Sequence, residues 1–227
     1  MATLTTRTLL DRDIKTIRDD ILRLGSLVEE QTERAVRALQ DRNIDLARQV
    51  EAADERVNEL RYKIEEECLA TVARHQPAAG DLRLIIASMH MAVEMERMAD
   101  HAVGTAHVVI RMGDEPLLKP LIDIPRMQET ACIMLHRALD AYVRGDVKLA
   151  REVIRMDDEV DALYNQVLRE LLTYMFQDPR TTPRATYLLW VAHNLERTAD
   201  RVTNLCERIV FAVTGKLGDI APDEEDN

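Results

Sequence analysis

Apolar residues recur along this chain every three or four positions, the spacing that lines one face of an α-helix. The first such stripe holds Ile14, Ile17, Ile21, Leu24, Val28, Ala35 and Leu39, and it predicts a helix from about Thr6 to Arg42. Gly25 falls inside it as a weak point rather than a stop. A second stripe holds Leu46, Val50, Val57, Leu60, Ile64 and Leu69, so a helix capped by Asn43 or Asp45 is expected to run to about Arg74. The segment from His75 to Gly80 contains Pro77 and breaks the pattern. A third helix follows from Asp81 to about Met112, and Gly113, Pro116 and Pro120 then mark a linker.

Beyond the linker the pattern begins again. Helices are expected from about Pro125 to Arg144, from Asp146 to Phe176 and from Arg184 to Thr214, with a break at residues 177–183. A shift of 103 residues pairs Leu46, Val50, Asp54, Val57 and Leu60 with Leu149, Val153, Asp157, Val160 and Leu163. The third and sixth helices align at a shift of 100. A period this long, built from helices, predicts an all-α protein: two tandem, similar three-helix bundles, six long helices in all, packed side by side. The repeats span residues 6–112 and 121–214, and residues 215–227 form an acidic tail expected to be disordered.

Composition supports this reading. Aromatics make up 4% of 227 residues and Gly and Pro number seven each, which favours helices over sheets. The net charge of −11 argues against a nucleic-acid footprint and suits cations or basic partners. Cys68, Cys132 and Cys206 are scattered and odd in number, as expected of reduced core thiols. The N-terminal residues lack the apolar run of a secretory signal, and no stretch reaches the ~20 apolar residues of a membrane span. A cytoplasmic location follows as an expectation, with membrane contact only through partners.

The chemistry sits in a repeated acidic signature, Glu96-x-x-x-Asp100 and Glu196-x-x-x-Asp200, each pair sharing one helix face. The preceding helices offer Asp54 with Asn58, and Asp157 with Asp161, at the same spacing. Reading Ile85, Met89, Ala92, Glu96, Asp100 and Val103 as one stripe places the carboxylates on the core side of their helix. A single Glu-x-x-x-Asp is an ordinary surface spacing, commonly paired with arginines such as Arg97, Arg197 or Arg201. The duplication makes a metal reading worth stating. Oxygen-rich sets suit Mg²⁺, Mn²⁺ or iron. His101 and His193 lie close enough in sequence to join, although a core or surface role is the commoner one for a lone histidine. The Glu-x-x-His pairs of oxygen-activating diiron proteins are absent. So are phosphate-binding glycine loops and a nucleophile elbow, so nothing points to an enzyme.

The run Gln76-Pro77-Ala78-Ala79-Gly80-Asp81-Leu82-Arg83, followed by Glu96-Arg97-Met98-Ala99-Asp100 and the second Glu196-Arg197-Thr198-Ala199-Asp200, resembles the PhoU family of phosphate-signalling proteins. The resemblance covers about residues 10–214. It implies two metal sets, Asp54, Asn58, Glu96 and Asp100 in the first half and Asp157, Asp161, Glu196 and Asp200 in the second. Mg, Mn, Fe or Zn are the implied ions. Asn58 stands where an acid is usual, Ala99 and Ala199 where Gly is common, and Gly104 where Asn204 keeps an Asn. The second set is therefore expected to hold its ion more tightly. The implied role is a homodimeric negative regulator of phosphate-starvation signalling and phosphate uptake, linking the ATPase of a phosphate ABC transporter to a sensor histidine kinase. Two alternatives belong to other classes: a metal-dependent phosphohydrolase, and a helical interaction protein without metal function.

Overall fold

The computed structural model describes residues 2–216. These form helices α1 (Ala2–Asp41), α2 (Ile44–His75), α3 (Ala79–Met112), α4 (Asp123–Arg144), α5 (Val147–Gln177) and α6 (Thr182–Thr214), with a 3₁₀ turn at Pro179–Thr181 before α6. There is no strand among the described residues. The acidic tail expected from residue 215 lies outside the described residues from residue 217 onward. Each half is a three-helix unit, α1–α3 and α4–α6. The halves meet chiefly where α3 packs along α6, with a smaller contact between α1 and α4.

The apolar stripes explain the packing. Ile14, Ile17, Ile21, Leu24, Val28, Ala35 and Leu39 of α1 are all buried. Burying a side chain of this size stabilises by roughly 1.5–3 kcal/mol. The second stripe holds through Ile64 but not at its end. Leu69 is 61% exposed, and Cys68 and Thr71 are buried instead. A turn of 3.6 residues carries a long straight helix past a repeat of seven, so the buried line drifts round the helix. The three cysteines are free and buried, and burial pushes the Cys68 and Cys206 thiols up to about 12.

The duplication extends to individual hydrogen bonds. Asn43 caps α2 by accepting from the Leu46 amide at 2.9 Å, and Asp146 caps α5 by accepting from the Leu149 amide at 3.0 Å. Arg34 donates to Gln49 as Arg137 donates to Glu152, both at 2.8 Å. Lys63 donates to Asp20 at 2.6 Å, and its counterpart Gln166 donates to Asp123 at 3.2 Å. The residues before α2 and α5, Arg42 and Gly145, both have positive φ, 52° and 65°. Three-dimensional structure thus repeats the 103-residue shift.

Gly25 has a packing reason that periodicity could not reveal. A Cβ at this position would lie 2.3 Å from Leu139 Cδ1, so the missing side chain lets α1 approach α4. The linker between halves is also held. Buried Lys119 donates to Glu170 of α5, and Arg184 of α6 donates to the Pro116 carbonyl at 3.5 Å.

Candidate functional site

The acidic signatures lie at the edges of their helices' buried faces. On α3 the predicted stripe is buried at Ile85 and Ala92 but only half-buried at Met89 and Val103, and the buried line runs through Met91, Met95, Met98, Ala102 and Ala106. Glu96 is half-buried and Asp100 exposed. Because α3 is covered by α1, α2 and α6, its buried arc is broad. The carboxylates mark the boundary of that arc and keep contact with water.

In the first repeat, α2 supplies Asp54 and Asn58 and α3 supplies Glu96 and Asp100. Asn58 Nδ2 donates to Asp54 Oδ2 at 2.9 Å. Gln31 Nε2 donates to the Val50 carbonyl at 3.1 Å and reaches Asp54 Oδ1 at 3.5 Å. Burial raises the Glu96 pKa, helped by the Asp100 and Asp54 charges and opposed by Arg61 and Arg97. Burial and the Asp54 charge likewise raise that of Asp100, against Arg97.

The second repeat is more crowded with charge. Burial, then Asp161, Asp200 and Glu196, push Asp157 up to about 6. Glu196 is raised by burial and by Asp200, with His193 and Arg197 opposing. Its Oε2 is buried without a hydrogen bond; His193 Nδ1, 3.4 Å away, is within ion-pair reach but lacks hydrogen-bond geometry. Arg197 Nη1 donates to Asp200 Oδ2 at 3.1 Å. His101 lies apart from the acids in character. Burial and the charges of Arg201, Arg197 and His193 hold it down to about 4, so it is neutral near pH 7.

The eight residues therefore gather as two electrostatic sets of four, one per repeat. They do not form ready cages. Among the described residues, no three His, Cys, Asp or Glu side chains are already disposed to hold a metal ion. Asn58 occupies one Asp54 oxygen and Arg197 one Asp200 oxygen. The donor chemistry nevertheless fits a cation. Carboxylates that raise one another's pKa, with an orphaned buried oxygen on Glu196, are relieved by positive charge.

A polar bond between the repeats was not legible in sequence. Glu94 of α3, 16% exposed, accepts from Arg201 at 3.2 Å and from Asn204 at 3.1 Å, both on α6. Its counterpart at a shift of 100 is Asn194, which donates to Thr105 Oγ1 at 3.4 Å. A Cβ on Gly104 would lie 3.0 Å from Asn194 Nδ2. The two ends of the α3–α6 seam are thus related by pseudo-symmetry yet chemically different: Glu94 faces Asn204, and Asn194 faces Gly104. The signal available was Glu94 beside the core residue Met95, together with the Asn204/Gly104 mismatch.

Two helical repeats joined along α3 and α6, each with a carboxylate face drawn from its second and third helices, define a duplicated helical protein. The PhoU domain matches this chain twice, at residues 21–109 and 124–209. The chain belongs to the PhoU family. It is 37% identical over 206 residues to the phosphate-specific transport system accessory protein PhoU homolog of Pseudomonas aeruginosa, covering 89% of this chain and 84% of that one. It is 33% identical over 204 residues to the phosphate-specific transport system accessory protein PhoU of Escherichia coli, covering 90% and 85%. The crystal structure of PhoU from Pseudomonas aeruginosa superposes with a TM-score of 0.86 at 36% identity, over 91% of this chain and 99% of that chain. The phosphate transport system regulatory protein PhoU from Streptococcus pneumoniae gives the same TM-score at 28% identity, over 92% and 99%.

Proposed function

We propose that this chain is a cytoplasmic, homodimeric adaptor that represses phosphate-starvation signalling and restrains phosphate uptake when phosphate is plentiful. In this reading it contacts the ATPase of a phosphate ABC transporter and a sensor histidine kinase, and it reaches the membrane only through them. The observation that carries the reading is similarity along nearly the whole length to proteins named as accessory and regulatory components of phosphate transport. A rigid six-helix frame suits an adaptor, which must present faces rather than enclose a substrate. No described helix is long and apolar enough to cross a membrane, in keeping with membrane contact through partners.

The carboxylate faces are the second part of the proposal. Asp157, Asp161, Glu196 and Asp200 would hold one ion set, and Asp54, Asn58, Glu96 and Asp100 the other. Mg, Mn, Fe or Zn would supply a positive charge that bridges neighbouring helices. Holding it would require Arg197 to release Asp200 and Asn58 to offer its amide oxygen. Each of the two faces, one per repeat, would then be stiffened. The first has one carboxylate fewer and binds more weakly.

Deleting the gene tests the regulatory role. Phosphate-starvation genes are expected to be expressed in high phosphate, and repression is expected to return with the wild-type chain. Unchanged expression in the deletion strain contradicts the proposal.

A further inference from the structure

A basic groove runs along the outer face of the first repeat, between α1 and α2. It encloses about 400 Å³ and is lined by Arg23, Leu27, Arg56, Glu59, Leu60 and Lys63. The spacings explain its existence: Arg23 and Leu27 are four apart on α1, and Arg56, Leu60 and Lys63 lie at successive turns of α2. Its charged lining is Arg23, Arg56, Lys63 and Glu59, in a chain whose net charge is −11. Lys63 is held by Asp20 at 2.6 Å and by Glu67 at 3.4 Å. Arg23 and Arg56, both exposed, have no ion pair or hydrogen bond among the described residues. Their guanidinium groups are thus free to take an oxyanion by paired N–H bonds.

The second repeat shows that this charge is not a by-product of the fold. At the 103-residue shift, Arg56 becomes Glu159 and Lys63 becomes Gln166, while Arg126 replaces Arg23 and lies 3.7 Å from Asp123. The basic residues of the first half therefore give way in the second to one arginine beside Asp123, a carboxylate and an amide.

The groove is larger than a single small anion requires and falls within the size range of small-ligand sites. Its apolar lining is limited to Leu27 and Leu60, with no aromatic face for a base to stack on. Arg56 and Leu27 also line an adjoining narrower cleft, where Arg34 is already paired with Glu30 at 3.3 Å, so the uncommitted positive charge is that of Arg23 and Arg56. We propose that this groove binds a short linear oligophosphate, with Arg23 and Arg56 gripping successive phosphoryl groups and Glu59 limiting the affinity. None of the eight carboxylate-face residues lines this groove, and the proposal does not depend on the regulatory reading.

The test titrates tripolyphosphate into the full-length, metal-free protein by calorimetry, with orthophosphate, sulfate and ATP as parallel probes. Saturable binding of tripolyphosphate, stronger than that of orthophosphate or sulfate, is expected. Arg23→Gln/Arg56→Gln should weaken it at least about tenfold, because two charge-assisted contacts are lost. Arg56→Glu, which copies the second repeat, should abolish it, and Glu59→Gln should strengthen it. These positions are exposed, and an unchanged helical circular dichroism spectrum confirms that each variant is folded. Absence of binding, or equal binding by wild type and Arg23→Gln/Arg56→Gln, overturns the proposal. So does equal affinity for orthophosphate, tighter binding of ATP than of tripolyphosphate, or retention on phosphatidylglycerol vesicles that those variants abolish.

Discussion

Replacing Asp157 by Asn separates two effects of the second carboxylate face that act in opposite directions. Without metal, the Asp157 carboxyl is half-buried among Asp161, Asp200 and Glu196, and its pKa rises from 3.8 to about 6. Below about pH 4 the group is protonated in folded and unfolded chains alike and no penalty exists. Between about pH 4 and pH 6 the folded chain keeps a proton that the unfolded chain has lost, so stability falls as pH rises. Above about pH 6 the full penalty is present. The raised pKa corresponds to roughly 3 kcal/mol at about 1.4 kcal/mol per pH unit. Partial exposure screens the charges and reduces this to about 1–2 kcal/mol. Asn keeps the shape and removes the charge. Metal-free Asp157→Asn is therefore expected to be more stable than wild type by about 1–2 kcal/mol at pH 7.5, roughly 2–8 °C in Tm for a chain of this size. The gain should disappear at pH 4. A ligand at about 100 times its Kd stabilises the native state by about 2.7 kcal/mol, so saturating Mn²⁺ should raise the wild-type Tm and raise that of the variant much less. Thermal unfolding followed by circular dichroism, at both pH values and with and without Mn²⁺, reads all four quantities. A variant equal to or weaker than wild type at pH 7.5 without metal refutes the reasoning, as does a gain of the same size at pH 4.

Asn58→Asp restores the acid that Asp161 provides in the second repeat and should tighten Mn²⁺ binding at the first face by several-fold, measured by calorimetry in a Glu196→Ala/Asp200→Ala background. Glu94→Ala leaves the Arg201 guanidinium and the Asn204 amide at the repeat seam without their acceptor and should cost about 1–3 kcal/mol, read as a lower urea midpoint. Gly25→Ala should destabilise by about 1 kcal/mol or more, because its Cβ meets Leu139 Cδ1 in a packed seam. In a Leu139→Ala background the clash is gone, and Gly25→Ala should instead stabilise by about 0.5–1 kcal/mol through helix propensity, a change of sign that a double-mutant cycle in urea detects.

The six helices and their duplication were legible because burial has a period, and the period is written in the order of residues. The helix ends were legible where a cap or a proline fixed them: Asn43 and Asp146 hold their helices by side-chain bonds. The α1 start, at Ala2 rather than Thr6, was not, because no cap or breaker marks it. The stripe assignments on α3 and late α2 slipped by a residue or two. Periodicity gives a direction round the helix, and only the neighbouring helices decide how wide the buried arc is. Leu69 and Met89 paid for that ambiguity, and Glu96 and Asp100 moved from the core side to its edge. The repeat and the helical period marked Asp54 on one helix and Glu96 with Asp100 on the next, and the family resemblance joined them into one set. Glu94 with Arg201 and Asn204, Gly25 against Leu139, and the groove at Arg23 and Arg56 depend on how separate helices meet, which no single stretch of sequence encodes.

The central claim is that the acidic faces bind cations and that the second face binds more tightly. Calorimetric titration of Mn²⁺ into metal-free, untagged protein, wild type against Glu196→Ala/Asp200→Ala, tests it most directly. The expected result is two phases in the wild type, with the tighter one lost in the variant and the weaker one kept. No binding by the wild type, or an unchanged titration in the variant, contradicts the claim.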